Sequence, residues 1–274
     1  MSSSKTDLTP KNWKMTSSGG PVLTTAIHTG NHIRNELQPY LYANNMQLRR
    51  EEDPLTDIFA SVGDDVFCCY TSRFEVDLNR KRELAFATRA EQTWGLKVWR
   101  DVPPEAVIER SLEQHDIFYQ MMESTLQRMI HQHGKVLVVD IHSYNHRRDG
   151  IDAPAPQSGN PDIDLGLTTL DQGQFGALAA AFTEILASQP CQGRKLDVRG
   201  NVRYPDGGYW PEWVFANFGD DICTITLEYK KFYMDEWTDT AFLPVVEDLR
   251  KGLFEAINIA RKELLQCGSL RKLR

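Results

Sequence analysis

A single α/β domain, built on a mostly parallel or mixed central sheet with helices on both faces, is the fold this sequence predicts. Three observations predict it. Nearly continuous apolar runs of strand length recur, above all KVLVVDI at 135–141 and ICTITL at 222–227, and such runs suit strands covered on both sides. Long segments with apolar residues at helical spacing separate them. Nowhere in the middle of the 274 residues does composition shift as it does at a linker, so one domain is expected rather than two.

The elements follow in order. Residues 1–20 are rich in Ser, Thr, Lys and Gly; they read as a flexible N-terminal arm and lack the apolar stretch of a signal peptide. Pro21 to Ile27 reads as a short strand that delivers His28. Asp53-Pro54 looks like a helix start, Asp53 as N-cap and Pro54 in the first turn. Val66 to Tyr70 is a second buried strand, followed by a polar segment to Arg82. From Pro104 to His133 the apolar residues Val107, Ile108, Leu112, Ile117, Met121, Leu126, Met129 and Ile130 keep helical spacing, and Gly134 fits the position just past the helix end. Gly150 to Asp162 is rich in Pro and Gly and reads as loop. Phe175 to Leu186 and Phe242 to Cys267 predict two further helices, the catalytic domain spanning 21–267 and residues 268–274 forming a tail.

Composition narrows the function. Apolar residues make up 41 % and charged residues 25 % of the chain, ordinary values for a globular protein. A net charge of −7, with no basic aromatic stripe, argues against nucleic acid as partner. No run approaches the roughly 18 apolar residues of a membrane span. The five cysteines, at 68, 69, 191, 223 and 267, are odd in number and form no CxxC pair. Neither a disulfide framework nor a zinc ribbon follows; reduced core thiols in a cytoplasmic protein are expected.

Polar residues that are costly to bury sit where the apolar strands end, the place where sheets of this class bind ligands. His142 follows KVLVVDI, and Asp140 either orients its imidazole or caps the turn. His28 follows the first strand. His32 and His146 lie four residues after His28 and His142, but Gly30 argues against a regular helix, so one histidine of the first pair is expected to ligate a metal. Glu228 ends ICTITL, where an acid needs either a chemical task or an ion pair with Lys230 or Lys231. Arg73 and Arg80 bracket Asn79 in a charged segment that is either a solvated turn or a carboxylate clamp.

Taken together, AIHTGNHI, RFEVDLNR, VVDIHSYNHRR, LDVRGN followed by Gly207-Gly208-Tyr209, and TLEYKKFYMDEW resemble the N-formylglutamate amidohydrolase family. The resemblance runs from about residue 21 to about residue 240. That family is similar to zinc carboxypeptidases and aspartoacylases, so the resemblance implies a zinc-carboxypeptidase-like fold, one Zn²⁺ per chain and a small dicarboxylate amide as substrate. It implies that His28 and His142 ligate zinc, that Glu228 is the general base and acid, and that Asn79 and Arg80 hold a carboxylate. Zinc carboxypeptidases take a carboxylate ligand from H-x-x-E, but Asn31 stands at that position here. The third ligand is therefore expected elsewhere: Asp57, which with Thr56 matches the family's Thr-Asp pair, ahead of Glu52 and His32. Arg73 is assigned to the oxyanion, and Arg199 or Lys230 to the substrate's second carboxylate. The alternatives are a related zinc hydrolase for another N-acyl amino acid and a metal-free binding protein on the same fold.

Overall fold

The computed structural model describes residues 12–269. Its elements in chain order are β1 (Trp13–Ser17), β2 (Val22–Ala26), α1 (Asn45–Glu51), α2 (Thr56–Ala60), β3 (Asp65–Cys69), α3 (Glu105–His133), β4 (Val136–Tyr144), β5 (Ile163–Gly166), α4 (Gln172–Ser188), β6 (Pro190–Cys191), β7 (Arg194–Lys195), β8 (Val198–Gly200), α5 (Tyr209–Phe218), β9 (Ile222–Lys230), β10 (Met234–Asp235), β11 (Thr240–Ala241) and α6 (Leu243–Ser269).

Seven strands form the main sheet in the order β1-β3-β2-β4-β9-β5-β8. Strands β3, β2, β4 and β9 run parallel, β1 is antiparallel to β3, and β5 is antiparallel to β9. The sheet is therefore mixed, as expected. All nine residues of β4 and all nine of β9 are buried, which is why both read as near-continuous apolar runs. Helices cover both faces. Phe59 of α2, Phe175 and Phe182 of α4, and Leu249 and Leu253 of α6 close one face; Phe118, Met122 and Leu126 of α3 and Trp210 of α5 close the other. A third cluster around Ile33, Leu37, Phe74 and Trp99 anchors the long excursion between β2 and α3.

The sheet differs from expectation at two places. Trp13–Ser17, placed by the sequence in a loose arm, pairs instead with β3 as the edge strand, because the Trp13 indole packs edge-on against Phe67 and Phe118; that aromatic anchor offsets the poor propensity of its neighbours. Residues 1–11 of the expected arm and residues 270–274 of the expected tail lie outside the described residues. Asp53 is not an N-cap: α2 begins only at Thr56, after Leu55 in the left-handed region at φ 68°, and the Asp53 side chain points to His142 and Ser143. Cys68, Cys69, Cys191 and Cys223 are buried thiols, and burial pushes Cys68 and Cys69 up to about 12.

Candidate active site

At the carboxyl ends of β2, β4 and β9 three buried groups that could hold a metal ion meet. His28 lies just past β2 and His142 within β4, and their Nδ1 atoms are 3.1 Å apart. Asp53 Oδ2 stands 2.9 Å from His142 Nδ1 and 3.4 Å from His28 Nδ1. A backbone hydrogen bond from the Asp53 amide to the His28 carbonyl, 2.9 Å, ties the two segments together.

The far nitrogens fix the tautomers. His28 Nε2 is 2.8 Å from Asp77 Oδ1, and His142 Nε2 is 2.7 Å from Asp140 Oδ2. A carboxylate accepts, so each Nε2 carries a proton and donates it. Both Nδ1 atoms then present lone pairs to one point, beside the Asp53 carboxylate. Three electron pairs converging in a buried space repel one another unless a proton or a cation lies between them. Four ligands about 2.05 Å from a tetrahedral zinc would stand about 3.3 Å apart, and the three observed separations bracket that value. The residues present fit a divalent metal, with each imidazole backed by a carboxylate as metal-ligating histidines usually are. Without such a cation the cluster holds protons instead: although burial opposes it, the Asp140 and Asp53 carboxylates push His142 well above its ordinary value.

Glu228 occupies the register position in β9 directly across from His142. It is buried, its Oε2 has no hydrogen-bond partner among the described residues, and burial pushes it up to about 8. A cation in the neighbouring cluster would draw it back toward neutrality. Asp77 ties this corner together. Its Oδ1 accepts from His28 Nε2 and from the Asn79 amide, 3.0 Å, and its Oδ2 meets Arg73 Nη2 at 2.9 Å and Arg80 Nε at 3.2 Å. Against the burial penalty, Arg73 and His28 hold Asp77 well below the usual carboxylate range.

These groups face a cavity of about 240 Å³, lined also by Trp94, Tyr144, Tyr204, Arg148 and Lys231. The guanidinium carbons of Arg73, Arg148 and Arg80 lie 4.8, 5.5 and 5.9 Å from the Trp94 ring centroid, within stacking range of one indole. Trp94 is 49 % exposed and adopts φ 53°, a strained conformation for a bulky side chain. Asn79 lines the cavity with its amide committed. Nδ2 donates to the Gly207 carbonyl and Oδ1 accepts from the Trp210 amide. Gly208 makes this approach possible, since a Cβ there would stand 2.6 Å from the Asn79 side chain.

The structure thus brings His28, His142, Glu228, Arg73, Asn79 and Arg80 to one cavity. Five other sequence candidates lie elsewhere. Asp57 does not reach the histidines: its carboxylate accepts from Thr29 Oγ1 at 3.1 Å and lines a separate cavity with Lys14 and Tyr70. The reason is local. The left-handed turn at Leu55 starts α2 late, so Asp53 turns inward and Asp57 sits one helical turn away. The weaker candidates fare no better. Glu52 accepts from the Ser72 hydroxyl, and His32 bridges to Thr71. Arg199 is spent on the carbonyls of Ser158 and Gln157 and on Asp197. Lys230 is held by Asp162, Gln157 and Asn160. Neither lines the cavity. The sequence reading took Asp53 for a helix cap rather than a group that could hold a metal, gave Asp77, Trp94 and Arg148 no role, and offered Lys231 only as a possible ion-pair partner of Glu228. Asp77 alone carried a signal, as an acid just ahead of Asn79-Arg80.

No curated protein matches the chain at a significant level. Among solved structures it is similar to an N-formylglutamate amidohydrolase from Ralstonia eutropha JMP134, with a TM-score of 0.71, 16 % identity, and 92 % of this chain and 99 % of that one covered. It is also similar to a gene product of Agrobacterium tumefaciens, with a TM-score of 0.62, 17 % identity, and 90 % and 95 % covered. At these identities the likeness establishes the fold. The family model described as N-formylglutamate amidohydrolase matches residues 20–234, most of the chain. The chain belongs to the N-formylglutamate amidohydrolase family.

Proposed function

We propose that this chain is a zinc-dependent amidohydrolase that cleaves N-formyl-L-glutamate to formate and L-glutamate. One observation carries the reading: two imidazole lone pairs and the Asp53 carboxylate aim at one buried point, beside an acid and an arginine pair that face the same cavity. His28, Asp53 and His142 would hold the metal, two nitrogens and one oxygen, which leaves a coordination position open as catalytic zinc sites do. Zinc bound there would polarise the formyl carbonyl and supply a water acidified to near neutrality.

The protein's own groups account for the remaining steps. Glu228 takes a proton from the attacking water as the oxygen adds to the formyl carbon, and returns it to the nitrogen as the C–N bond breaks. An acid raised by burial suits both halves of that task. Arg73 faces the negative charge that develops on the formyl oxygen. Arg80 anchors the α-carboxylate, and the Asp77 carboxylate and the Trp94 face keep its guanidinium in place before substrate arrives. A cavity of about 240 Å³ suits a small acyl amino acid. Buried thiols are in keeping with a reducing, cytoplasmic setting. The test is formate release from N-formyl-L-glutamate. Turnover should disappear on chelation and return with added zinc, and zinc-loaded protein inactive on every N-acyl amino acid tried would end the proposal.

A further inference from the structure

The two lysines at the end of β9 differ in one respect. Lys230 Nζ meets Asp162 Oδ1 at 2.7 Å, Gln157 Oε1 at 2.8 Å and the Asn160 carbonyl at 3.1 Å, so its three N–H groups are all engaged. Lys231 Nζ donates to two main-chain oxygens, those of Arg50 and Glu52, each at 2.7 Å. Among the described residues no carboxylate oxygen lies within 4.0 Å of it. Yet Lys231 is 1 % exposed and lines the cavity.

Two carbonyls at the end of α1 account for part of that placement, since a cation is favourable at a helix C-terminus. They do not account for the third N–H, and although the Asp53, Glu51 and Glu236 carboxylates favour the charge from beyond contact, a buried ammonium with no carboxylate touching it is costly unless a partner arrives. Arg148 lines the same cavity. Its Nη1 lies 3.0 Å from Glu51 Oε2, but Arg50 Nη1 also takes that carboxylate, through Oε1 at 3.0 Å. One acid thus serves two guanidiniums, and the stack on Trp94 holds the Arg148 head toward the cavity. Arg73 and Arg80, which lie against the same indole, already share Asp77. The cavity's cations thus divide by their partners: Arg73 and Arg80 on Asp77, Arg148 on the shared Glu51, and Lys231 on main-chain carbonyls.

We propose that Lys231 and Arg148 form the subsite for the substrate's second carboxylate, so that the cavity selects amides of dicarboxylic amino acids over their uncharged analogues. The inference rests on the amidohydrolase reading for its substrate, and it specifies which half of the molecule each cation set holds. Lys231 replaces Lys230 and Arg199 in that role.

Binding can be read without turnover. Glutarate and glutaramate have nearly the same shape and differ by one charge. Calorimetry on the zinc-loaded protein should show glutarate bound at least about 30-fold more tightly, in line with a charge pair out of bulk water. In Arg148→Met and in Lys231→Met that ratio should fall to within about threefold of unity. Should Lys231→Met fail to fold, Arg148→Met decides, because Arg148 is one-third exposed at its side chain and its removal leaves the core intact. A wild-type protein with no preference, or an Arg148→Met protein that keeps it, overturns the subsite. Hydrolysis of N-formyl-L-glutamate is scored separately. Glutarate preference without turnover removes the proposed reaction and leaves the subsite, whereas turnover without preference does the reverse.

Discussion

Two buried polar clusters lie close together in this molecule, and they are built on opposite terms. Around Glu236 both carboxylate oxygens are answered: Oε2 accepts from the His146 amide at 2.9 Å and has His146 Nδ1 at 2.9 Å, while Oε1 accepts from the Arg147 amide at 2.9 Å and meets Arg50 at 3.5 Å. Around His28, Asp53 and His142 the outer faces are equally well answered, by Asp77 and Asp140, but the inner faces point lone pairs at one another. Glu228 beside them keeps an orphan oxygen. The closed cluster stabilises the fold. The two differ at their acceptors: both Glu236 oxygens are answered, although Arg50 Nε and Arg147 Nε nearby lack partners among the described residues, whereas the facing Nδ1 atoms and Glu228 Oε2 leave room for a cation.

Substitutions in the two clusters should therefore fail differently. The largest effect is expected at Glu228: Glu228→Gln keeps shape and metal but loses the proton acceptor, and kcat for formate release should fall about 10³-fold. Unchanged turnover would remove Glu228 from the chemistry. Next comes the carboxylate behind the metal-facing imidazole. Asp140→Asn should weaken zinc binding about 10- to 100-fold, read by competition with a chelator; an unaltered affinity would mean that the tautomer of His142 is set by something else. Arg80→Ala should raise KM by about 30-fold, about 2 kcal/mol, with a smaller effect on kcat.

The closed cluster should respond only in stability. Burial opposes it, but the His146 ring and the main-chain amides draw Glu236 down from its ordinary 4.5 to about 2. A folded-state value below the unfolded one adds stability that is complete above about pH 4.5 and drains away as the pH falls through about 2. Glu236→Gln should cost about 2 kcal/mol in denaturant unfolding near pH 7, allowing for partial screening, and less near pH 3. Zinc affinity should be untouched. A pH-independent deficit, or a lost metal site, would mean that the two clusters are one system.

The sheet was legible because β4 and β9 are buried on both faces and must be apolar throughout; no other local structure accommodates KVLVVDI or ICTITL as well. The long helix from Glu105 was legible through its apolar spacing and Gly134, which takes φ 75° just past its end. Both histidine positions followed from the same logic, since a strand end fixes where its next side chain goes. What the sequence hid depends on turns. The left-handed step at Leu55 decides whether Asp53 or Asp57 faces inward, and nothing in TDIF or DPLT announces it. The roles of Lys230 and Lys231 are separated by one residue at a strand end, where alternation is lost and only the acceptors nearby choose. Trp94 drew no reading from the sequence, because only the fold sets three guanidiniums around it.

Metal content tests the central claim most directly. Protein purified without chelator and reloaded with zinc should hold about one ion per chain; Asp53→Ala should lose it, while Asp57→Ala should retain it at unchanged affinity. If Asp57→Ala loses the metal and Asp53→Ala keeps it, the cluster assigned to His28, Asp53 and His142 is wrong.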